Sequence, residues 1–190
     1  MIEIITTIMG LIQGGLVWAN KRSNWIFYCL QYIFLGIFSF TAHLYGDVTN
    51  SVFYFCVGIT GWIFWNKNKG DTPIRKCKKK ERIGYSVIIV VSTIVVYYFL
   101  MKTDDPLPLL DALTTTTSYI ATFYMVTKKT DAWILWFIND VLYVIEYWLL
   151  PDQALYLIIL NIIWTFMAVG SYITWNKIYR RQEDLKNEEI

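Results

Sequence analysis

Residues 132–150 read AWILWFINDVLYVIEYWLL, and this stretch sets the pattern for the whole chain. As a helix rising about 1.5 Å per residue, it is long enough to cross a hydrocarbon core of about 30 Å. Six other stretches resemble it in length and in their scarcity of charge. We therefore predict an all-α membrane protein with seven transmembrane helices. The predicted spans are Ile2–Asn20, Trp25–Leu44, Thr49–Trp65, Gly84–Met101, Leu107–Thr127, Ala132–Leu150 and Asp152–Trp175.

The composition of the 190 residues supports this class of protein. The chain is 56% hydrophobic and 17% charged, whereas a typical soluble domain is about 45–50% apolar and about 25% charged. A soluble domain around one central core is excluded, and so is a disordered or collagen-like chain. The spans use most of the sequence, which leaves no room for a separate soluble domain.

The basic residues predict the orientation of the chain. All but Lys102 of the 17 lysines and arginines fall in alternate inter-helix segments and in the C-terminal tail. Positive residues concentrate on the cytoplasmic side of membrane proteins. We therefore expect the N-terminus outside and the C-terminus in the cytoplasm. The basic run Lys76–Arg82 is most simply explained as a topogenic linker that contacts lipid.

An internal repeat divides the spans into two groups. The tripeptide Trp-Asn-Lys occurs at 65–67 and again at 175–177. The segment 25–31 resembles 133–139, at nearly the same spacing along the chain. We predict two parallel three-helix repeats joined by one linker helix, a 3+1+3 arrangement typical of transporters. The predicted parts are 1–66 (first bundle), 67–106 (basic cytosolic linker and connecting helix), 107–177 (second bundle) and 178–190 (cytosolic tail).

Polar residues within the spans predict a binding site, because such residues are costly in lipid and usually face a cavity or a partner. Trp136, Asn139, Tyr143 and Glu146 share one face of the sixth span, and the central Asp140 flanks them. Asp140 pairing with a neighbouring helix, and an aromatic belt at the inner helix ends, remain open alternatives. The predicted substrate-binding residues are Trp136, Asn139, Asp140, Tyr143, Asn161, Trp164, Thr115, Gln13, Gln31 and Trp62.

Other classes of function fit the sequence less well. An intramembrane enzyme using Asp111 and Asp140 as an acid–base pair is disfavoured, because the two carboxylates lie at different depths. A seven-helix receptor leaves the repeat unexplained. The sequence contains neither a glycine-rich phosphate loop nor a metal-ligand cluster, so we expect no ATPase, no cofactor and no metal site.

Two motifs accompany the three-plus-one-plus-three pattern, namely Gly61-Trp62-x-x-Trp65-Asn66 at the end of the first triplet and the helix that carries Trp133, Trp136 and Asn139. With these motifs, the pattern resembles the PnuC family of bacterial vitamin transporters over nearly the whole chain. Members of the family take up nicotinamide riboside, and relatives take up thiamine, riboflavin or deoxynucleosides. Their fold is similar to that of the SWEET sugar transporters.

The resemblance implies facilitated diffusion of a nucleoside-like vitamin across the bacterial cytoplasmic (inner) membrane, with nicotinamide riboside as the default substrate. It further implies that an intracellular kinase phosphorylates and traps the substrate, and it allows a homotrimer. Nucleic acid is not an expected partner. Deoxynucleosides, thiamine and riboflavin remain alternative substrates for the same fold and mechanism.

Overall fold

The computed structural model describes residues 2–41, 45–67, 72–150 and 155–188. These residues form seven α-helices and no strands, which confirms the predicted all-helical class. The predicted span ends at Leu44 and Asp152 lie outside the described residues. The helices are α1 (Ile2–Trp18), α2 (Asn24–Thr41), α3 (Tyr45–Asn66), α4 (Lys79–Leu100), α5 (Pro108–Val126), α6 (Ala132–Leu149) and α7 (Leu155–Glu188).

Four of these helices contain segments long and apolar enough to cross a membrane, namely Asn24–Thr41, Lys79–Leu100, Ala132–Leu149 and Leu157–Glu188. The segment Ile4–Trp18 is apolar but shorter. Many large apolar side chains point outward, with exposed fractions reaching 73% at Phe166. Contiguous exposed apolar surface is rare on soluble monomers, and lipid is the solvent that tolerates it.

Helix α7 extends further than the apolar run that predicts it. The predicted span ends at Trp175, and the helix continues through Glu188. The added segment 176–188 is rich in lysine, arginine and glutamate, which are all good helix formers and favour continuation into water.

The chain divides into two compact units. Unit 1 comprises residues 1–73, in which α2 packs against both α1 and α3. Unit 2 comprises residues 74–190, in which α4 packs on α5, α5 on α6 and α6 on α7. Helix α4 presents mainly exposed apolar side chains, and its buried Thr93 shares a 2.7 Å hydrogen bond with Thr116 of α5.

The turn between α1 and α2 in unit 1 is a Schellman motif. Asn20 has a left-handed φ of 53°, and its N–H donates to the carbonyl oxygen of Val17 at 2.9 Å. The N–H of Lys21 donates to the carbonyl oxygen of Leu16 at 2.8 Å. These two bonds satisfy carbonyl groups that the end of α1 would otherwise leave unpaired.

The turn between α5 and α6 in unit 2 has the same geometry at the equivalent position of the repeat. Lys128 has a φ of 52° and donates its N–H to the carbonyl oxygen of Met125 at 3.1 Å. The N–H of Lys129 donates to the carbonyl oxygen of Tyr124 at 2.8 Å. The repeat seen in the sequence therefore extends to the hydrogen bonds of these two turns.

Each unit also contains one tryptophan pair at matching positions. In unit 1 the rings of Trp25 and Trp65 meet edge to face, with centroids 5.6 Å apart and planes at 85°. In unit 2 the rings of Trp133 and Trp175 do the same at 5.1 Å and 84°. The matched tryptophans thus join the second and third helices of unit 1, and α6 and α7 of unit 2, through buried aromatic contacts.

Glycine at position 61 makes room for the first of these pairs. A Cβ atom there would lie 2.5 Å from three ring atoms of Trp25, which is itself fully buried. We expect Gly61→Ala to destabilise the protein by at least about 1 kcal/mol, because the ring cannot move away without disturbing its neighbours. Thermal unfolding of the purified protein measures the effect.

Gly15→Ala is the matched control in the same unit, because a Cβ atom at Gly15 would have no neighbour within 4 Å. Alanine favours the helix by up to about 1 kcal/mol over glycine, so this variant should be unchanged or slightly more stable. Equal unfolding temperatures for the two variants would contradict the close packing of α3 on Trp25.

Candidate functional site

The predicted face of α6 carries two buried polar groups that have no hydrogen-bond partner among the described residues. Asn139 is 0% exposed, and neither its amide nitrogen nor its amide oxygen finds a hydrogen-bond partner among the described residues. The indole nitrogen of Trp136, one turn earlier on the same face, is also buried without a partner there. An unmade buried hydrogen bond costs about 1–3 kcal/mol, so these groups call for a polar partner outside the described protein atoms.

Asp140 lies beside this face and is 3% exposed. Neither of the two ion pairs formed by described residues includes it. The alternative that Asp140 pairs with a neighbouring helix is therefore not supported by an ion pair in the described part of the chain. A buried acidic group of this kind can accept a hydrogen bond from a ligand or attract a cationic one.

Helix α7, which packs on α6, supplies a second amide. Asn161 is 3% exposed, and its side-chain nitrogen donates to the backbone carbonyl of Leu157 at 2.8 Å. Its side-chain oxygen has no partner among the described residues. Trp164 follows three residues later and is half-buried. One amide oxygen and one indole ring thus lie on the helix that contacts α6.

Toward the other end of α6, hydroxyl groups and carboxylates are joined by hydrogen bonds. Thr115 donates to the Asp111 carboxylate at 3.1 Å, and Thr114 donates to Glu146 at 3.2 Å. The ring of Tyr143 stacks on that of Tyr147, four residues along, with planes at 9°. Thr115 therefore already has a partner, whereas Asn139 has none in the described chain.

The remaining three predicted site residues, Gln13, Gln31 and Trp62, belong to unit 1. Gln31 lies against the backbone of α1 at Gly10, where an added Cβ atom would come within 3.0 Å of the side-chain nitrogen of Gln31. Gln13 is half-buried, and Trp62 is 37% exposed. Seven of the ten predicted residues thus belong to unit 2 and three to unit 1.

Sequence reasoning missed an aromatic cluster in unit 1. Tyr28 and Tyr32 of α2 have ring centroids 4.8 Å apart, and Tyr32 stacks on Tyr54 of α3 at 4.8 Å. The internal repeat offers the signal that could have found them. When the two tryptophan pairs are aligned along the sequence, Tyr28 matches Trp136 and Tyr54 matches Trp164.

The same alignment matches Gln31 with Asn139. Each unit therefore carries an amide and large aromatic rings at corresponding positions. Among the described residues, no group of three or more histidine, cysteine, aspartate or glutamate side chains could hold a metal ion. The chemistry available at these positions is stacking, hydrogen bonding and electrostatic attraction.

Apolar helices that carry buried amides and aromatic rings are typical of a multi-pass membrane transporter. The family model described as nicotinamide mononucleotide transporter matches residues 1–177, and the chain belongs to this family. This membership confirms the resemblance to PnuC proteins and the expectation that the chain is not an enzyme.

Two named relatives illustrate this membership. The nicotinamide riboside transporter PnuC of Escherichia coli is 28% identical over 204 residues, covering 92% of this chain and 84% of the relative. The PnuC protein of Neisseria mucosa is 25% identical, covering 93% of this chain and 72% of the relative. A crystal structure of the vitamin B3 transporter PnuC shares the fold, with a TM-score of 0.73 at 21% identity over 93% of this chain and 81% of that one.

Proposed function

We propose that this protein carries a nucleoside-like vitamin, with nicotinamide riboside as the default substrate, across the bacterial inner membrane by facilitated diffusion. The observation that carries this proposal is the fully buried Asn139, whose amide has no partner among the described residues. The names of the relatives support the choice of vitamin. Phosphorylation by an intracellular kinase would then trap the substrate in the cell.

The proposed arrangement is two parallel three-helix repeats joined by α4, with the N-terminus outside and the C-terminus in the cytoplasm. The matched turns at Asn20 and Lys128 and the matched tryptophan pairs support the repeat. The distribution of lysine and arginine supports the orientation. In this proposal residues 1–66 and 107–177 form the bundles, residues 67–106 connect them, and 178–190 form a cytosolic tail. We also propose that the protein assembles as a homotrimer.

In the proposed site, the flat ring of the substrate stacks on Trp136 and Trp164, and the amides of Asn139 and Asn161 bind its polar edge or its sugar. Stacking between a base and an aromatic ring is worth about 1–3 kcal/mol per base. A cationic ring would gain further attraction from the aromatic faces. Thr115 and Tyr143 complete the proposed lining in unit 2, and Gln13, Gln31 and Trp62 are the proposed substrate-binding residues of unit 1.

A neutral deoxynucleoside is the second candidate substrate, because Asp140 suits hydrogen bonding to a neutral ligand as readily as attraction to a cationic one. A buried carboxyl group without an ion pair in the described chain suits hydrogen bonding to a sugar hydroxyl or a base amine. Thiamine and riboflavin also contain flat rings that can stack on these side chains, and they are the other alternative substrates.

Calorimetric titration of the purified protein with nicotinamide riboside, thiamine, riboflavin and deoxynucleosides tests the proposal. We expect one compound to bind tightly, and the same compound to exchange across liposomes without ATP or an ion gradient. Binding of none would remove the vitamin assignment. Binding without exchange would favour a receptor over a carrier.

The variant Asp140→Asn distinguishes between the two candidate chemistries. The amide keeps the shape of the side chain and removes its capacity for negative charge. We expect it to weaken binding of a cationic ligand more than that of a neutral one, because only the cation loses Coulomb attraction. Calorimetry with both ligands measures the ratio, and equal effects would leave Asp140 as a hydrogen-bond acceptor only.

A further inference from the structure

The basic segment 74–82, here named the strap, is held against the protein by backbone hydrogen bonds. The N–H of Arg75 donates to the carbonyl oxygen of Lys128 at 2.9 Å, and the N–H of Thr130 donates to the carbonyl oxygen of Arg75 at 2.9 Å. Ile74 is 2% exposed. The strap therefore pairs with the α5–α6 turn through its backbone, which the simple prediction of a lipid-contacting linker did not anticipate.

Asp131 is the centre of this contact. The residue is 6% exposed, and its carboxylate accepts the backbone N–H of Cys77 at 2.9 Å and the Nε of Arg82 at 2.6 Å. Burial raises the pKa of the Cys77 thiol, so the thiol stays neutral and does not repel the carboxylate. Hydrogen bonds that involve charged groups are about twice as strong as neutral ones, so this contact fixes the strap to the start of α6.

Further contacts extend the hold of the strap to the neighbouring helices. Lys129 forms a 3.0 Å ion pair with Glu81 and lies 5.1 Å from the ring centroid of Tyr124. Lys76 lies 4.9 Å from the ring centroid of Tyr179, on the extension of α7. The strap thereby contacts α7 and the turn between α5 and α6, and it leads directly into α4.

The corresponding turn of unit 1 is built without a carboxylate. It also contains a residue in the left-handed conformation, Asn20, and it forms the equivalent backbone hydrogen bonds. However, the residue that aligns with Asp131 in the repeat is Ser23. The turn itself does not require an aspartate, so the ion pair in unit 2, in which the Asp131 carboxylate is buried and the Arg82 side chain is 56% exposed, does something beyond closing the turn.

We propose that Asp131 is a positioning residue for substrate binding, which fixes the inner end of α6 through the strap. Asp131 immediately precedes α6, and Asn139 follows eight residues later, about 12 Å along the axis at 1.5 Å per residue. Binding constellations tolerate errors of only about 0.5 Å in the placement of their residues. The inference rests on the proposed binding site, of which Asn139 and Trp136 are part.

The test compares Asp131→Asn, Arg82→Gln, the double variant and the control Ser23→Ala. We expect Asp131→Asn to raise the Kd for nicotinamide riboside about tenfold and Arg82→Gln to raise it less. The double variant should bind no worse than Asp131→Asn, because both changes remove the same ion pair. Ser23→Ala should bind like the unchanged protein. If Asp131→Asn does not fold, Arg82→Gln carries the test, and an unchanged Kd in either folded variant would overturn the proposal.

Hydrogen exchange of the proteins without ligand separates this inference from the choice of substrate. We expect Asp131→Asn to speed exchange in residues 132–140 and Ser23→Ala to leave that segment unchanged. This result holds even if the whole vitamin panel fails to bind, which would count against the substrate alone. Equal exchange of residues 132–140 in Asp131→Asn and the unchanged protein would overturn the positioning role.

Discussion

Replacing Asn139 with alanine should weaken substrate binding by about 1–3 kcal/mol without lowering stability. The amide is fully buried, and the described protein atoms satisfy neither its nitrogen nor its oxygen. Its removal would therefore delete the proposed bond to the ligand and would also remove a polar group that has no partner among the described residues of the ligand-free protein. Calorimetric Kd values and unfolding temperatures of the ligand-free protein measure the two effects.

Asn176→Ala is the matched control for this prediction. The same substitution is made here on α7, at an asparagine whose amide nitrogen already donates to the backbone carbonyl of Tyr172 at 2.8 Å. We expect its Kd to match that of the unchanged protein. If Asn139→Ala lowered the unfolding temperature and kept the Kd, Asn139 would be a structural residue and the proposed site would be wrong.

Trp175→Ala should cost about 3–5 kcal/mol of stability, the largest effect predicted for this chain. The side chain is 0% exposed and meets Trp133 edge to face, joining α7 to α6. Truncation leaves a cavity that the surrounding helices can fill only in part. Scanning calorimetry of the purified protein in detergent measures the loss.

Trp148→Ala provides the comparison, because Trp148 lies near the end of α6 and is 57% exposed. The same truncation at that exposed position should change stability by less than about 1 kcal/mol. A similar loss in both variants would mean that the Trp133–Trp175 contact contributes little to holding α6 against α7.

The helices could be predicted from the sequence because the residues that mark a helix and its ends lie close together along the chain. Long apolar runs mark the helices, and proline marks boundaries, as at Pro108, which lies in the first turn of α5. The repeat was equally visible, because Trp25 and Trp133 hold equivalent positions in two similar segments. Spacing alone also placed Trp136 and Asn139 on one face of α6.

Side-chain partners depend on residues distant in sequence, and these the sequence could not assign. Glu146 was visible as a polar group, but its bond to Thr114 appears only when α5 packs on α6. The tyrosine cluster of unit 1 was missed for the same reason. Tyr32 and Tyr54 are on different helices, and only packing brings their rings together.

The sequence by itself determined the class of protein, the seven helices and the family, because hydrophobic length and motif spacing are properties of the chain alone. Only the tertiary structure decided which polar groups are satisfied. Asp131 and Asp140 are both buried acids, yet Arg82 neutralises Asp131, whereas no ion pair of the described residues includes Asp140. Burial and pairing are set by neighbours across the fold, and they distinguish an acid that fixes a helix from one that is available to a ligand.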